Sequence, residues 1–334
     1  MREVTAPIAE RGVLGERELR GAAVGHAALA VPPTKISNAP IAERLGVEPG
    51  WIESRTGIHE RRALQDGERV SDLAAEAGGL ALAKSGLSAD EIDLVVVATT
   101  TQDEVTPNTA PLVAGALGLS NPAAIDVGAA CSAFVAALQV TTAQLESGRA
   151  RKALVIGVDC LHSFLNPDDR RTAALFGDGA GAVVMTASTE GRMGPIAMRS
   201  DCAPDMIRIP RGGTLEMRGH ETFVNAVARI SEITLDVLEQ ASLTTADVDL
   251  FVYHQANARI IAAVGEKLAL PPERVIDCIK SYGNTSAASI PIALAEAEAD
   301  GRLKPGMRVL VGAFGAGFTW GGALMEWGLS DGDA

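Results

Sequence analysis

Positive charge is in short supply in this chain: 29 lysines and arginines face 42 aspartates and glutamates, a formal net charge of −13. That balance argues against nucleic acid or an anionic membrane as a general partner, and an acidic partner would need a local basic patch. Cysteine is also sparse. Cys131, Cys160, Cys202 and Cys278 are scattered without a Cys-x-x-Cys pair or ligand-like spacing, which sets aside a disulfide framework and a zinc site. No apolar run reaches the length of a membrane span. The stretch Met1 to Glu10 has no apolar core and carries acidic residues, so no secretory leader or transit peptide is expected there, and the protein is read as cytoplasmic. Aromatics supply only 4% of the residues although 47% are apolar. Such an interior is filled by small and branched side chains, as where helices pack tightly on a buried sheet. The 334 residues suffice for one large α/β domain or two fused halves.

What is present is repeated. Leu87-Ser-Ala-Asp-Glu-Ile-Asp-Leu-Val-Val-Val97 matches Leu243-Thr-Thr-Ala-Asp-Val-Asp-Leu-Phe-Val-Tyr253, each after an amphipathic helix, near Ser71–Ser85 and Asn225–Ala241. Further on, Ala124-Ile-Asp-Val127 resembles Val275-Ile-Asp-Cys278, and Lys152-Ala-Leu-Val-Ile-Gly157 resembles Arg308-Val-Leu-Val-Gly312. Similarity at so long a period indicates a duplicated α/β unit rather than a solenoid. Continuous apolar strands separated by helices predict mostly parallel sheets covered on both faces. The halves meet near Gly191–Pro195, giving units at 1–190 and 191–334.

Three residues stand at strand-to-loop ends. Cys131 lies in Asp126-Val-Gly-Ala-Ala-Cys-Ser-Ala-Phe-Val-Ala-Ala-Leu138, between a buried strand and a helical pattern. A helix N-terminus there favours thiolate over thiol, and small neighbours leave room for a substrate. His254 ends Leu250-Phe-Val-Tyr-His-Gln-Ala-Asn257, read as a strand, and Asn284 sits at the turn of Ser281-Tyr-Gly-Asn-Thr-Ser-Ala-Ala-Ser-Ile-Pro291. A thiolate needs a proton partner that titrates near neutrality, and an amide donates to an oxyanion without titrating. Each residue has an ordinary structural use as well: a buried cysteine, a bonded strand-end histidine, a turn or cap asparagine. Their co-occurrence carries the functional reading. Phe176-Gly-Asp-Gly-Ala-Gly-Ala182 lacks the context of a dinucleotide loop and reads as close backbone packing.

These stretches, with Ala313-Phe-Gly-Ala-Gly-Phe-Thr-Trp320, resemble the β-ketoacyl-acyl-carrier-protein synthase III family in order from about Leu19 to Trp327. Elongating ketosynthases carry a second His where this chain has Asn284. Thiolases carry a second Cys near the C-terminal glycine-rich segment, and chalcone-synthase-like enzymes lack Trp51-Ile-Glu-Ser-Arg-Thr-Gly57. The resemblance implies a thiolase-like α/β fold of two duplicated halves in five αβαβα layers. It implies that Cys131 takes an acyl group from an acyl-coenzyme A, with backbone N–H groups of Cys131 and Ala316 holding the oxyanion. His254 and Asn284 then stabilise the enolate formed as malonyl-acyl carrier protein loses carbon dioxide. A homodimer without metal, nucleotide or redox cofactor is expected. An acyltransferase of the same fold, acting on a hydroxyl or amine, is the alternative, and a non-catalytic partner subunit is a third reading that the retained Cys131 opposes.

By the same resemblance, Trp51 and Arg170 sandwich the adenine of coenzyme A, Arg55 contacts the nucleotide, and Gly219, Phe223 and Asn257 border the pantetheine channel. On residue type alone, Trp51 would pass as an apolar anchor and both arginines as solvated charges. Two departures matter. Thr106, before Pro107, replaces an aromatic that in acetyl-specific relatives enters the partner's acyl pocket, so a longer or branched primer is expected. Val224 replaces a frequent Lys, leaving Arg259 and Lys267 as carrier-docking charges, with a plain solvated helix face as the competing reading.

Overall fold

The computed structural model describes residues 21–329; Leu19 and the Met1–Glu10 stretch lie outside that range. β1 (Gly21–Ala30) leads to a ribbon of β2 (Lys35–Ser37) and β3 (Glu60–Arg62), which brackets α1 (Asn38–Leu45) and α2 (Pro49–Thr56). α3 (Val70–Ser85), β4 (Leu94–Ala98), α4 (Thr109–Ala116), β5 (Ala123–Val127), α5 (Ala133–Glu146), β6 (Lys152–Cys160) and β7 (Asp178–Ser188) come next. Then come β8 (Met193–Ser200), the ribbon β9 (Ile207–Arg208) with β10 (Glu216–Met217), and α6 (Gly219–Gln240). β11 (Leu250–Tyr253), α7 (Ala258–Lys267), α8 (Ile279–Tyr282), α9 (Ser289–Ala299), β12 (Arg308–Gly315) and β13 (Thr319–Glu326) complete the described chain.

One sheet has the order β1-β7-β6-β4-β5 and the other β11-β12-β13-β8. Each is parallel on one side only, through β6-β4-β5 and β11-β12, out to the edge strands β5 and β11. β1, β7, β8 and β13 pair antiparallel, so the expectation of mostly parallel sheets is corrected to mixed ones. The short link between β12 and β13 admits nothing but an antiparallel return. The repeat seen at Val275–Cys278 is not a strand either: it makes a single bridge to Phe251. The Gln255 amide takes over there, accepting from Cys278 N–H and donating to Ile276 O.

Helices separate the sheets and cover them. α3 packs on β1, β6 and β7, and α4 on β4 and β5. α5 lies between the sheets, touching β4 and β6 on one side and β8 and β13 on the other, and α9 reaches β1, β7 and β11. α6 closes the far side over β8, β12 and β13. Five layers result. The two central helices carry apolar residues all round, including Phe134, Leu138, Ile290 and Leu294, which fits burial between two sheets. Each large side chain withdrawn there contributes about 1.5–3 kcal/mol. Phe176–Ala182 runs into β7, and a Cβ at Gly181 would stand 2.7 Å from Ile292 N, so this stretch does admit backbone closely. α6 begins at Gly219, six residues before the expected Asn225, because Phe223 and Val224 face a cavity or solvent and blur the apolar pattern.

Candidate active site

The first functional turn comes directly after β5. Ala130 adopts the left-handed region at φ 47°, and the helical turn Ala130–Ser132 then delivers Cys131 to the head of α5. Ser132 Oγ donates to Ala129 O at 2.8 Å and shares a hydrogen bond of 2.7 Å with Thr319 Oγ1, which ties the turn to β13. Cys131 opens onto a cavity of about 1040 Å³, which His254, Asn284 and Ala316 also line. The expected thiolate is not what this environment favours. Burial, together with the charge of Asp159, outweighs the hydrogen bond from Ser286 and pushes the thiol up to about 11.

His254 stands just beyond β11, its N–H donating to Gly312 O at 2.8 Å. Burial depresses the imidazole to about 4, so it is neutral at physiological pH. Its Nδ1 lies 2.6 Å from Ser289 Oγ, which also accepts from Gln255 N–H at 3.3 Å. The Ser289 hydroxyl has no other acceptor among the described residues, so its proton goes to Nδ1 and the ring proton belongs on Nε2. Asn284 is held by its backbone between Leu175 O and Gly177 N–H. Its Oδ1 accepts from Ser286 N–H at 2.9 Å, which leaves the Nδ2 amide protons for the cavity. The site therefore offers a half-buried thiol and two neutral N–H donors. That combination suits stabilising a developing oxyanion or enolate without a full positive charge.

The mouth is basic on an otherwise acidic protein: Arg55, Arg170, Arg171, Arg208, Arg211 and Arg259 line it. Arg55 lies over the Trp51 indole at 4.7 Å, and Arg170 donates through Nε and a terminal nitrogen to Leu45 O at the end of α1. That carbonyl is one of the orphan acceptors every helix leaves at its C-terminus. Asn257 lies past the strand rather than in it, capping α7 through Oδ1 and donating Nδ2 to Arg55 O at 3.1 Å. Gly219 and Phe223 line the cavity, and Arg259 stacks on Phe223 at 5.8 Å. Lys267 is exposed in the last turn of α7. Thr106 is exposed on a loop away from this cavity, beside Val105, which is 87% exposed. Among the described residues no cluster of His, Cys, Asp or Glu could hold a metal ion.

Sequence reasoning passed over Ser286, Ser289 and Asp159. The two serines, three apart in Thr285-Ser-Ala-Ala-Ser289, were a readable signal for one polar face of a turn; Asp159, inside an apolar strand, was another.

Comparison with known proteins agrees with this geometry. Residues 125–202 match the 3-oxoacyl-[acyl-carrier-protein] synthase III family, and residues 238–327 match that family's C-terminal region. A β-ketoacyl-[acyl-carrier-protein] synthase III of Streptomyces coelicolor is 45% identical over 312 residues, covering 92% of this chain and 94% of the relative. The crystal structure of the Pseudomonas aeruginosa synthase III superposes with a TM-score of 0.89 at 39% identity, over 93% of this chain and 99% of that one. The priming β-ketosynthase of a polyketide pathway gives 0.90 at 32% identity, over 94% and 98%. The fold is thiolase-like, and the chain is an acyltransferase-class condensing enzyme. It belongs to the β-ketoacyl-[acyl-carrier-protein] synthase III family.

Proposed function

We propose that this enzyme condenses an acyl-coenzyme A primer with malonyl-acyl carrier protein and so starts fatty-acid or polyketide chains. The observation that carries the reading is the convergence of Cys131 with two neutral donors, His254 Nε2 and Asn284 Nδ2, in one cavity whose mouth is basic. Cys131 attacks the thioester, and coenzyme A leaves. Backbone N–H groups of Cys131 and Ala316 hold the oxyanion. The malonyl thioester carbonyl then sits against His254 and Asn284, which stabilise the enolate as carbon dioxide departs. The carbanion attacks the acyl-Cys131 carbonyl and releases the β-ketoacyl carrier.

The basic mouth suits the phosphates of coenzyme A, with Trp51 and Arg55 at the nucleotide, Arg170 beside them, and Gly219, Phe223 and Asn257 along the pantetheine arm. Arg259 and Lys267 on α7 steer the acidic carrier. The enzyme works as a cytoplasmic homodimer of chains divided at 190/191, with Thr106 facing the partner's acyl pocket. A small residue there leaves space that extra methylenes fill at about 0.8 kcal/mol each. Transfer to a hydroxyl or amine needs no enolate, so the two donors favour condensation.

Intact-mass spectrometry after incubation with a panel of acyl-coenzyme A esters, with and without malonyl carrier, tests this. An adduct confined to Cys131, formed by primers longer than acetyl at least as well as by acetyl and discharged only by malonyl carrier, is expected. An adduct that persists in Cys131→Ala overturns the assignment.

A further inference from the structure

We propose that Asp159, acting through the hydroxyl of Ser286, holds the Cys131 proton while the sulfur is acylated and returns it when the sulfur leaves. This rests on the reading of Cys131 as nucleophile and deepens it. Asp159 is fully buried on β6 and forms no ion pair among the described residues. Its Oδ1 accepts from the hydroxyls of Thr99, Thr100 and Thr101 and from Thr100 N–H, and its Oδ2 from Ala287 N–H at 3.1 Å. The titratable groups near it are Cys131, Cys160 and Asp178, with no cation among them. A carboxylate kept in such a place without a counter-charge is costly unless it has a use.

Ser286 connects it to the nucleophile. The hydroxyl donates to Cys131 Sγ across 3.4 Å, and the N–H of the next residue, Ala287, reaches Asp159 Oδ2 at 3.1 Å, so the Ser286 hydroxyl sits beside both the sulfur and the carboxylate it influences. It has one proton and two acceptors. With Cys131 as thiol, S–H donates to Ser286 Oγ and the hydroxyl donates to Asp159. With Cys131 as thiolate, the carboxylic acid donates to Oγ and the hydroxyl to sulfur. Moving from the first arrangement to the second shifts two protons by one hydrogen bond each and carries the negative charge from carboxylate to sulfur. The backbone sets this up: Ser286 is left-handed, at φ 51°, and its N–H is pinned by Asn284 Oδ1. His254 is badly placed for the task, since Nε2 already carries a proton and Nδ1 is engaged by Ser289.

The atoms balance. The sulfur–carbon bond forms, the coenzyme A thioester bond breaks, and the coenzyme A thiolate takes a proton from solvent. When the malonyl-derived carbanion adds to the acyl carbon, the bond to Cys131 breaks, and the departing thiolate recovers its proton from Asp159 through Ser286. The net proton consumed per turnover is the solvent proton on coenzyme A, matching loss of a carboxylate as carbon dioxide.

Single-turnover acylation of wild type, Ser286→Ala, Ser286→Thr and Asp159→Asn from mildly acidic to alkaline pH, with malonyl-carrier decarboxylation measured separately, tests the idea. Ser286→Ala and Asp159→Asn should acylate about 10²- to 10⁴-fold more slowly at neutral pH, the usual contribution of a positioned base. Their rates should climb with pH while wild type stays nearly level, Ser286→Thr should restore the wild-type profile, and decarboxylation should hold. An unchanged pH profile in Ser286→Ala, or an equal loss of decarboxylation, overturns the proposal. Circular dichroism reports whether Asp159→Asn folds; if it does not, the Ser286 pair decides. A wild type that forms no adduct on Cys131 would instead refute the nucleophile assignment itself.

Discussion

The turn that carries Cys131 and the turn that carries Asn284 are built alike and used differently. Each opens a three-residue helical turn with a non-glycine in the left-handed region, Ala130 at φ 47° and Ser286 at φ 51°, and runs straight into a central helix. In the first, the next residue presents its side chain to the cavity. In the second, the next residue is Ala287, which presents only its N–H, to Asp159. Each turn also rests on a glycine of the other half. A Cβ at Gly315 would stand 2.8 Å from Cys131 N, and one at Gly157 would stand 2.3 Å from Ala287 O. One device thus seats the nucleophile in one half, just after the strained residue, and anchors the donor Asn284 in the other, just before it, through the Ser286 N–H.

The largest effects should come from the donors. Asn284→Ala or His254→Ala should slow malonyl decarboxylation by roughly 10²–10³ while self-acylation changes little. Equal damage to both half-reactions, measured by carbon dioxide release and by adduct mass, would erase the functional distinction between the turns. The glycine seats come next. Gly315→Ala should slow acylation more than decarboxylation and Gly157→Ala the reverse, each at about 1–3 kcal/mol of stability by chemical denaturation. Parallel losses in both variants would show that the seats serve the fold alone.

The nucleophile and the histidine donor should also part at opposite ends of the pH scale. His254 is depressed from 6.5 to about 4, so below pH 6.5 the unfolded chain binds a proton that the folded site refuses, and stability falls as pH drops toward 4. Cys131 is raised from 9.0 to about 11, so its contribution is present below pH 9 and is lost as pH rises through 11. Melting curves of His254→Ala and Cys131→Ala should flatten the acid and alkaline limbs respectively. The smallest effect belongs to Ala130→Gly, which relieves a left-handed alanine worth about 1–2 kcal/mol but loosens the unfolded chain. Acylation should persist and the melting temperature move little; a large loss would mean that the strain itself aims the sulfur.

The side chains that define the chemistry were legible in the order of residues alone, since Cys131, His254 and Asn284 stand where apolar stretches give way to loops and turns. The duplication was legible too, through paired Asp-Leu-Val-type strands. The surroundings of the site were not. That Arg55 stacks on Trp51 while Arg170 closes the end of α1 is not readable from residue order, since the second contact spans 125 residues. Gln255 reads as one more polar residue of a motif, yet its amide replaces sheet hydrogen bonds between Tyr253 and the 276–278 segment. Asp159 shows the same limit: its meaning comes from three threonines and a turn of the other half.

A resting thiol near 11 leaves roughly one sulfur in ten thousand ionised at neutral pH. Indiscriminate electrophiles and peroxide react with thiolate, so an idle enzyme is chemically quiet. Covalent inhibitors that rely on warhead reactivity alone should label Cys131 slowly, and those that first occupy the basic mouth should label it fast.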